Sequence, residues 1–127
     1  MKLIFVCGPY RAATDYEMEQ NIRRAADCAG RIWRAGFAAI CPHLNTRRFG
    51  GITYEDSFIE GYKQILRLCD AVIVLPRWSY SVGAVGEIKE AIINKIPVFN
   101  DIEDFIGGRF VPEETLRTLA QIPSSVC

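Results

Sequence analysis

The sequence predicts an α/β fold: a single-domain, three-layer sandwich with a parallel, flavodoxin-like (Rossmann-like) sheet of four to five strands and helices on both faces. Three observations predict it. Short apolar runs alternate with longer stretches of helical periodicity, and the order β-α-β-α-β-α-β implies a parallel sheet covered by helices. The run Ala71-Val72-Ile73-Val74-Leu75 is uninterrupted, as suits a central strand buried on both faces. The chain has 127 residues, a length suited to one domain, with no internal repeat or linker to divide it.

Each element has a local reason. Leu3 to Cys7 is a compact apolar run ended by Gly8-Pro9, so it reads as a buried strand. Asp15 can cap the next segment, whose apolar positions Ile22, Ala25, Ala26, Ala29, Ile32 and Trp33 share one helical face. Arg23, Arg24, Asp27, Arg31 and Arg34 take the opposite face, and Gly36 ends the helix. Phe37 to Cys41 is a second strand, closed by Pro42. Residues 42–52 show no period and read as a loop. A helix from Tyr54 to Leu68 carries a stripe of Phe58, Tyr62, Ile65, Leu66 and Cys69. The third strand, 71–75, ends at Pro76. A loop over 77–82 leads to a helix over 83–95, and Pro97-Val98-Phe99 is a fourth strand. Pro112 followed by Glu113 and Glu114 marks the start of a closing helix over about 112–121.

Fifteen Lys/Arg balance fifteen Asp/Glu. Zero net charge argues against a protein that coats a nucleic-acid polymer, and against a disordered polyelectrolyte. No apolar run approaches the roughly 20 residues of a membrane span, and Leu3–Cys7 is too short for a signal-peptide core, so a cytoplasmic protein without membrane partners is expected. The balance hides an asymmetry. Residues 1–48 carry eight Lys/Arg and four Asp/Glu, and residues 49–127 carry seven and eleven. An anionic ligand near the first half and simple attraction between the halves both fit this. The five cysteines are scattered, none forms a Cys-x-x-Cys pair, and His43 is the lone histidine. No metal site and no cofactor are expected, and the thiols read as reduced and mostly buried, with Cys127 exposed to intermolecular oxidation.

In parallel sheets ligands bind beyond the carboxyl ends of the strands, which singles out three loops. The first carries Gly8, Pro9, Tyr10 and Arg11, where Tyr10 could orient a carboxylate and Arg11 bind phosphate; a simple strand-ending turn is the alternative. The second carries His43 and Asn45, either structural or substrate-binding. The third runs through Trp78, Ser79, Ser81 and Gly83 to Gly86 and Glu87. Glycines there admit a ligand close to the backbone, free N–H groups and the helix dipole favour an anion, and the serines add donors. Glu87 has small neighbours in Gly83, Ala84 and Ala91, and a helical side chain leans toward the N-terminus, hence toward the crevice. Alternatively, Ser81 or Gly83 is merely a cap and Glu87 a surface residue. Trp78 could stack on a base or pack internally.

Taken jointly, Gly8-Pro9-Tyr10-Arg11, Asn21-Ile22-x-Arg24-Ala25, Gly36, Pro42-His43, residues 69–76, Trp78, Ser81-x-Gly83-Ala84-x-x-Glu87 and Ala91 form one pattern. It resembles the nucleoside 2-deoxyribosyltransferase-like superfamily, specifically its small DUF4406 branch common in bacteria and phages, over about residues 2–100. The resemblance implies that Glu87 is a nucleophile attacking C1′ of a (deoxy)ribosyl group, and that Tyr10 orients it. It implies that Ser81 contacts the sugar or a 5′-phosphate, favouring a 5′-phosphorylated nucleotide. It also implies a homodimer or higher homo-oligomer, for which the second-helix stripe and Trp33 would be suited. One position departs from the pattern: relatives carry an acid where this chain has Tyr62, and Glu60 and Asp56 are the other acids on that helix. The expected function is therefore N-glycosidic bond cleavage or deoxyribosyl transfer on a nucleotide or nucleoside, with a non-catalytic nucleotide-binding or sensor protein as the alternative.

Overall fold

The computed structural model describes residues 1–123; Cys127 lies outside the described residues. Four strands form one sheet: β1 (Leu3–Cys7), β2 (Ala38–Ile40), β3 (Ala71–Val74) and β4 (Val98–Phe99). Their order is β2-β1-β3-β4 and every pairing is parallel, so the expected α/β sandwich is the observed one. Six helices surround it: α1 (Asp15–Arg34), α2 (Pro42–Asn45), α3 (Glu55–Arg67), α4 (Val82–Ile93), α5 (Ile102–Ile106) and α6 (Glu113–Ala120).

The period-2 alternation of the strands divides the core in two. Ile4 and Val6 of β1, with Ala71 and Ile73 of β3, face Ala25, Ala29 and Ile32 of α1 and Ile102 of α5. Phe5 and Cys7, with Val72 and Val74, face Tyr62 and Leu66 of α3, Ala84, Ile88 and Ala91 of α4, and Leu116 of α6. The α3 stripe is therefore spent mainly inside the chain. Tyr62, Leu66 and Cys69 are buried, which corrects the idea of the stripe as a ready partner face; Trp33 does remain 56% exposed.

Local chemistry sets the boundaries. Thr14, rather than the neighbouring Asp15, caps α1: its hydroxyl accepts the Glu17 N–H at 3.1 Å, and Asp15 is the first helical residue. The predicted loop after β2 opens instead with the single turn α2, started by Pro42, whose ring sets φ for the first helical position. The connection after β3 holds a 3-10 turn over Trp78–Tyr80. The segment 101–123, largely uninterpreted in the sequence, completes both layers. Asp101 caps α5 by accepting the Asp104 N–H at 2.8 Å, and Phe105 meets Phe37 and Phe99 edge to face with centroids 5.1 and 5.2 Å apart.

Two contacts lock β1 to β3. At the amino end, the Leu3 N–H donates to the Asp70 carboxylate at 2.8 Å while the Asp70 N–H donates to the Leu3 carbonyl at 2.8 Å. Asp70 thus has a structural task. At the carboxyl end, a Cβ on Gly8 would stand 2.7 Å from the Leu75 Cβ and 2.6 Å from its Cδ1. The Leu75 Cβ is fixed by a strand end, so rotamer change cannot relieve that clash. Gly8→Ala is expected to cost about 1–3 kcal/mol, as overpacking does, read as a lowered midpoint in urea unfolding; an unchanged midpoint would show that the two strand ends separate freely.

Candidate functional site

Glu87 lies in the second turn of α4. Ser81 caps that helix, its Oγ accepting the Ala84 N–H at 3.3 Å. Ala84, Ile88 and Ala91 bury against the sheet, and this carries the half-buried Glu87 to the end of β1. There its carboxylate comes near the thiol of Cys7, whose Sγ donates to the Ala84 carbonyl at 3.5 Å. Burial in this apolar corner pushes the Glu87 carboxyl up to about 7, with the Cys7 hydrogen bond opposing the shift. Burial, and then the charge of Glu87, push the Cys7 thiol well above its ordinary range, so it keeps its proton at neutral pH. Cys7 escaped the sequence reading. Its signal is positional: it is the last β1 side chain on the face that α4 covers.

The two preceding loops are tied to each other. His43 is buried, and its Nε2 lies 2.9 Å from the Pro9 carbonyl. The Nδ1 has no partner, which fits a neutral ring carrying its proton on Nε2, and burial lowers its pKa. Tyr10 sets its ring edge-on to His43, centroids 5.8 Å apart, and its carbonyl accepts Asn21 Nδ2 at 3.2 Å. The Tyr10 hydroxyl makes no hydrogen bond among the described residues. Asn45 donates to the Tyr62 hydroxyl at 3.1 Å, and that hydroxyl donates to Thr46 Oγ1 at 2.9 Å. Tyr62 is thus a phenol anchored to the α2 turn.

Other candidates separate from this group. Arg11 pairs with Glu55 at 2.7 Å on an exposed surface. Trp78 is 6% exposed and sits in the core cluster with Cys7, Tyr62 and Ala84, so of its two readings, stacking on a base and internal packing, the structure shows packing. Glu60 pairs with Lys63 at 3.4 Å and is exposed, so it does not replace the missing acid. Ser81 commits a lone pair to its cap but retains a hydroxyl proton to donate. Ser79 is half-buried, and a Cβ at Gly83 or Gly86 would meet open space.

A domain-family profile, described as Domain of unknown function (DUF7768), matches residues 2–101. This chain belongs to that family. No curated protein matches it. The DUF7768 match runs from the start of β1 to the cap of α5, so it contains Cys7, Tyr10, His43, Ser81 and Glu87 alike. The family description assigns no activity. Among the described residues of this DUF7768 domain, no group of three or more His, Cys, Asp or Glu could hold a metal ion, and no helix is long and apolar enough to cross a membrane.

The perturbed Glu87 has a consequence for stability. Its folded pKa, about 7, exceeds the ordinary 4.5, so the folded state holds the proton more tightly than the unfolded chain. The neutral form's advantage is full below about pH 4.5 and disappears as pH rises through about 7. Glu87→Gln is expected to remove that pH dependence and to stabilise the domain at pH 8 by up to about 3 kcal/mol. Urea unfolding of both proteins at pH 5 and pH 8 checks this; parallel pH dependences would place the Glu87 carboxylate in water.

Proposed function

We propose that this DUF7768 domain cleaves or transfers the N-glycosidic bond of a nucleotide, with Glu87 as nucleophile. The observation that carries the reading is a single carboxyl, desolvated at the carboxyl end of the central strand and held beside the amino end of α4. The sequence resemblance to the nucleoside 2-deoxyribosyltransferase-like superfamily supplies the reaction class. The Glu87 carboxylate attacks C1′, the C1′–N bond breaks with its electron pair leaving on the base, and the base takes up a proton. Water or a second base then attacks C1′ and releases Glu87 from the ester. Burial raises the carboxylate's basicity and strips water that would weaken its attack. The Ser81 hydroxyl and the exposed N–H groups at Val82 and Gly83 suit a 5′-phosphate. In this reading a second copy of the chain covers the crevice.

A second reading, a nucleotide-binding sensor without turnover, is favoured by Tyr62. Its hydroxyl is engaged with Asn45 and Thr46, and an ordinary phenol is a weak proton donor to a leaving base.

Base release from a panel of deoxynucleoside monophosphates separates the two. Wild type is expected to release base and Glu87→Ala to lose about 10³-fold or more. The kcat/KM is expected to rise with pH through about 7 as Glu87 ionises in the free protein. Equal rates for the two proteins would remove Glu87 from the chemistry. Tight nucleotide binding with no release would establish the sensor.

A further inference from the structure

A cleft of about 850 Å³ opens where β1 and β3 end, on the α1 side of the sheet. Its walls come from Pro9, Tyr16, Asn21, Arg24, Arg77 and Tyr80; Glu87 does not line it. The position is the topological switch point, where chain order runs outward in both directions from β1 and β3 and two loops diverge to leave a crevice. The volume falls within the roughly 300–1,000 Å³ range of small-molecule sites.

The charges here lack partners. Arg11, Arg23, Arg47, Arg67, Arg109 and Arg117 each have a carboxylate within 4.0 Å. Arg24 and Arg77, like Arg31, Arg34 and Arg48, have none among the described residues, and of these five Arg24 and Arg77 line this cleft, Arg24 standing between it and the smaller cavity beside it. The Arg24 guanidinium makes one neutral bond, donating to Asn21 Oδ1 at 3.2 Å. Arg77 lies with its guanidinium 5.5 Å from the Tyr80 ring centroid, on a left-handed backbone (φ 67°) that a residue with a side chain adopts at a cost. One carboxylate, Glu17, lines the cleft against these two cations. The smaller neighbouring cavity of about 310 Å³ sets three carboxylates, Asp27, Asp101 and Glu103, against Arg24 and Arg31, whereas the larger one sets Glu17 alone against Arg24 and Arg77, which makes the larger the better place for an anion. Two aromatic rings stand at its mouth without cover: Tyr16 is 70% and Tyr80 82% exposed.

We propose that this cleft is a second ligand site, distinct from the Glu87 crevice, that takes a nucleoside 5′-monophosphate. Arg24 and Arg77 hold the phosphate, and Tyr80 with Tyr16 offers π faces to the base. Guanidinium groups without carboxylate partners pay no exchange of ion pairs on binding, and exposed tyrosines supply stacking area with little ordering cost. Arg24 is linked through Asn21 to the Tyr10 carbonyl, so the occupied cleft shares a hydrogen-bond chain with the loop that packs on His43.

The test uses adenosine 5′-monophosphate, adenosine and inorganic phosphate as calorimetric probes on the full chain. Adenosine 5′-monophosphate is expected to bind wild type, with the share of that binding held by this cleft read from the Arg24 and Arg77 variants. Adenosine, which lacks the phosphate, is expected to bind at least tenfold more weakly, and inorganic phosphate to compete. Arg24→Ala and Arg77→Ala should each weaken the nucleotide by about tenfold or more, and Tyr80→Ala by about tenfold. These side chains are exposed, so the variants should keep the wild-type unfolding midpoint. The proposal is overturned if the arginine variants bind as wild type does, or if no probe binds wild type. Base release at Glu87 can fail while this binding persists, and the reverse, so the two proposals stand or fall separately.

Discussion

The close approach of β1 to β3 is the constraint on which the rest of the molecule depends. Four registered pairs, from Ile4 with Ala71 to Cys7 with Val74, make these two strands the centre of the sheet. The Asp70–Leu3 exchange fixes one end, and the missing side chain of Gly8 lets Leu75 close the other. Because both strands are covered on both faces, their last side chains have no water to meet. Cys7 goes to the α4 layer and Leu75 to the α1 layer. The loops beyond the Gly8–Leu75 contact diverge to the two faces of the sheet. One carries Glu87, and the other carries Arg24 and Arg77.

The Glu87 environment is unfavourable for an ionised group, and among the described residues no cation pairs with it. Its one close polar partner is a thiol that keeps its own proton. A structural carboxylate on a helix surface would instead resemble Glu90, on the same helix, which pairs with Arg67 at 3.0 Å and whose pKa is lowered by that bond. The contrast between two glutamates three residues apart is a physical argument for function at the first, since folding stability alone would favour a neutral side chain there.

Much of the fold was legible because long elements repeat their pattern. The spacing of Ile22, Ala25, Ala29 and Ile32 and the unbroken run 71–74 each carry several independent residues of signal. Short elements do not. The four residues of α2 and the five of α5 are too few for periodicity, and their marks, Pro42 and Asp101, are single residues. Thr14 and Asp15 are adjacent and both suit a cap, so only the geometry separates them. Glu87 was legible through its small neighbours and its helix position. Cys7 beside it was not, since a thiol in an apolar strand reads as packing. Trp78 was left open between stacking and packing, because an aperiodic loop assigns no face; the 3-10 turn folds it under α4 and α6. The cleft at Arg24 and Arg77 joins residues 53 positions apart, which no local pattern connects.

The stereochemistry of transfer tests the central claim, that Glu87 forms a bond to C1′, most directly. A β-nucleotide turned over in aqueous methanol yields a methyl glycoside that keeps its anomeric configuration. Double displacement through Glu87 gives a first-formed β-methyl product by proton NMR, whereas direct attack of solvent gives the α anomer. The β product is expected from wild type and absent with Glu87→Ala. An α product, or β product formed equally well without Glu87, would contradict it.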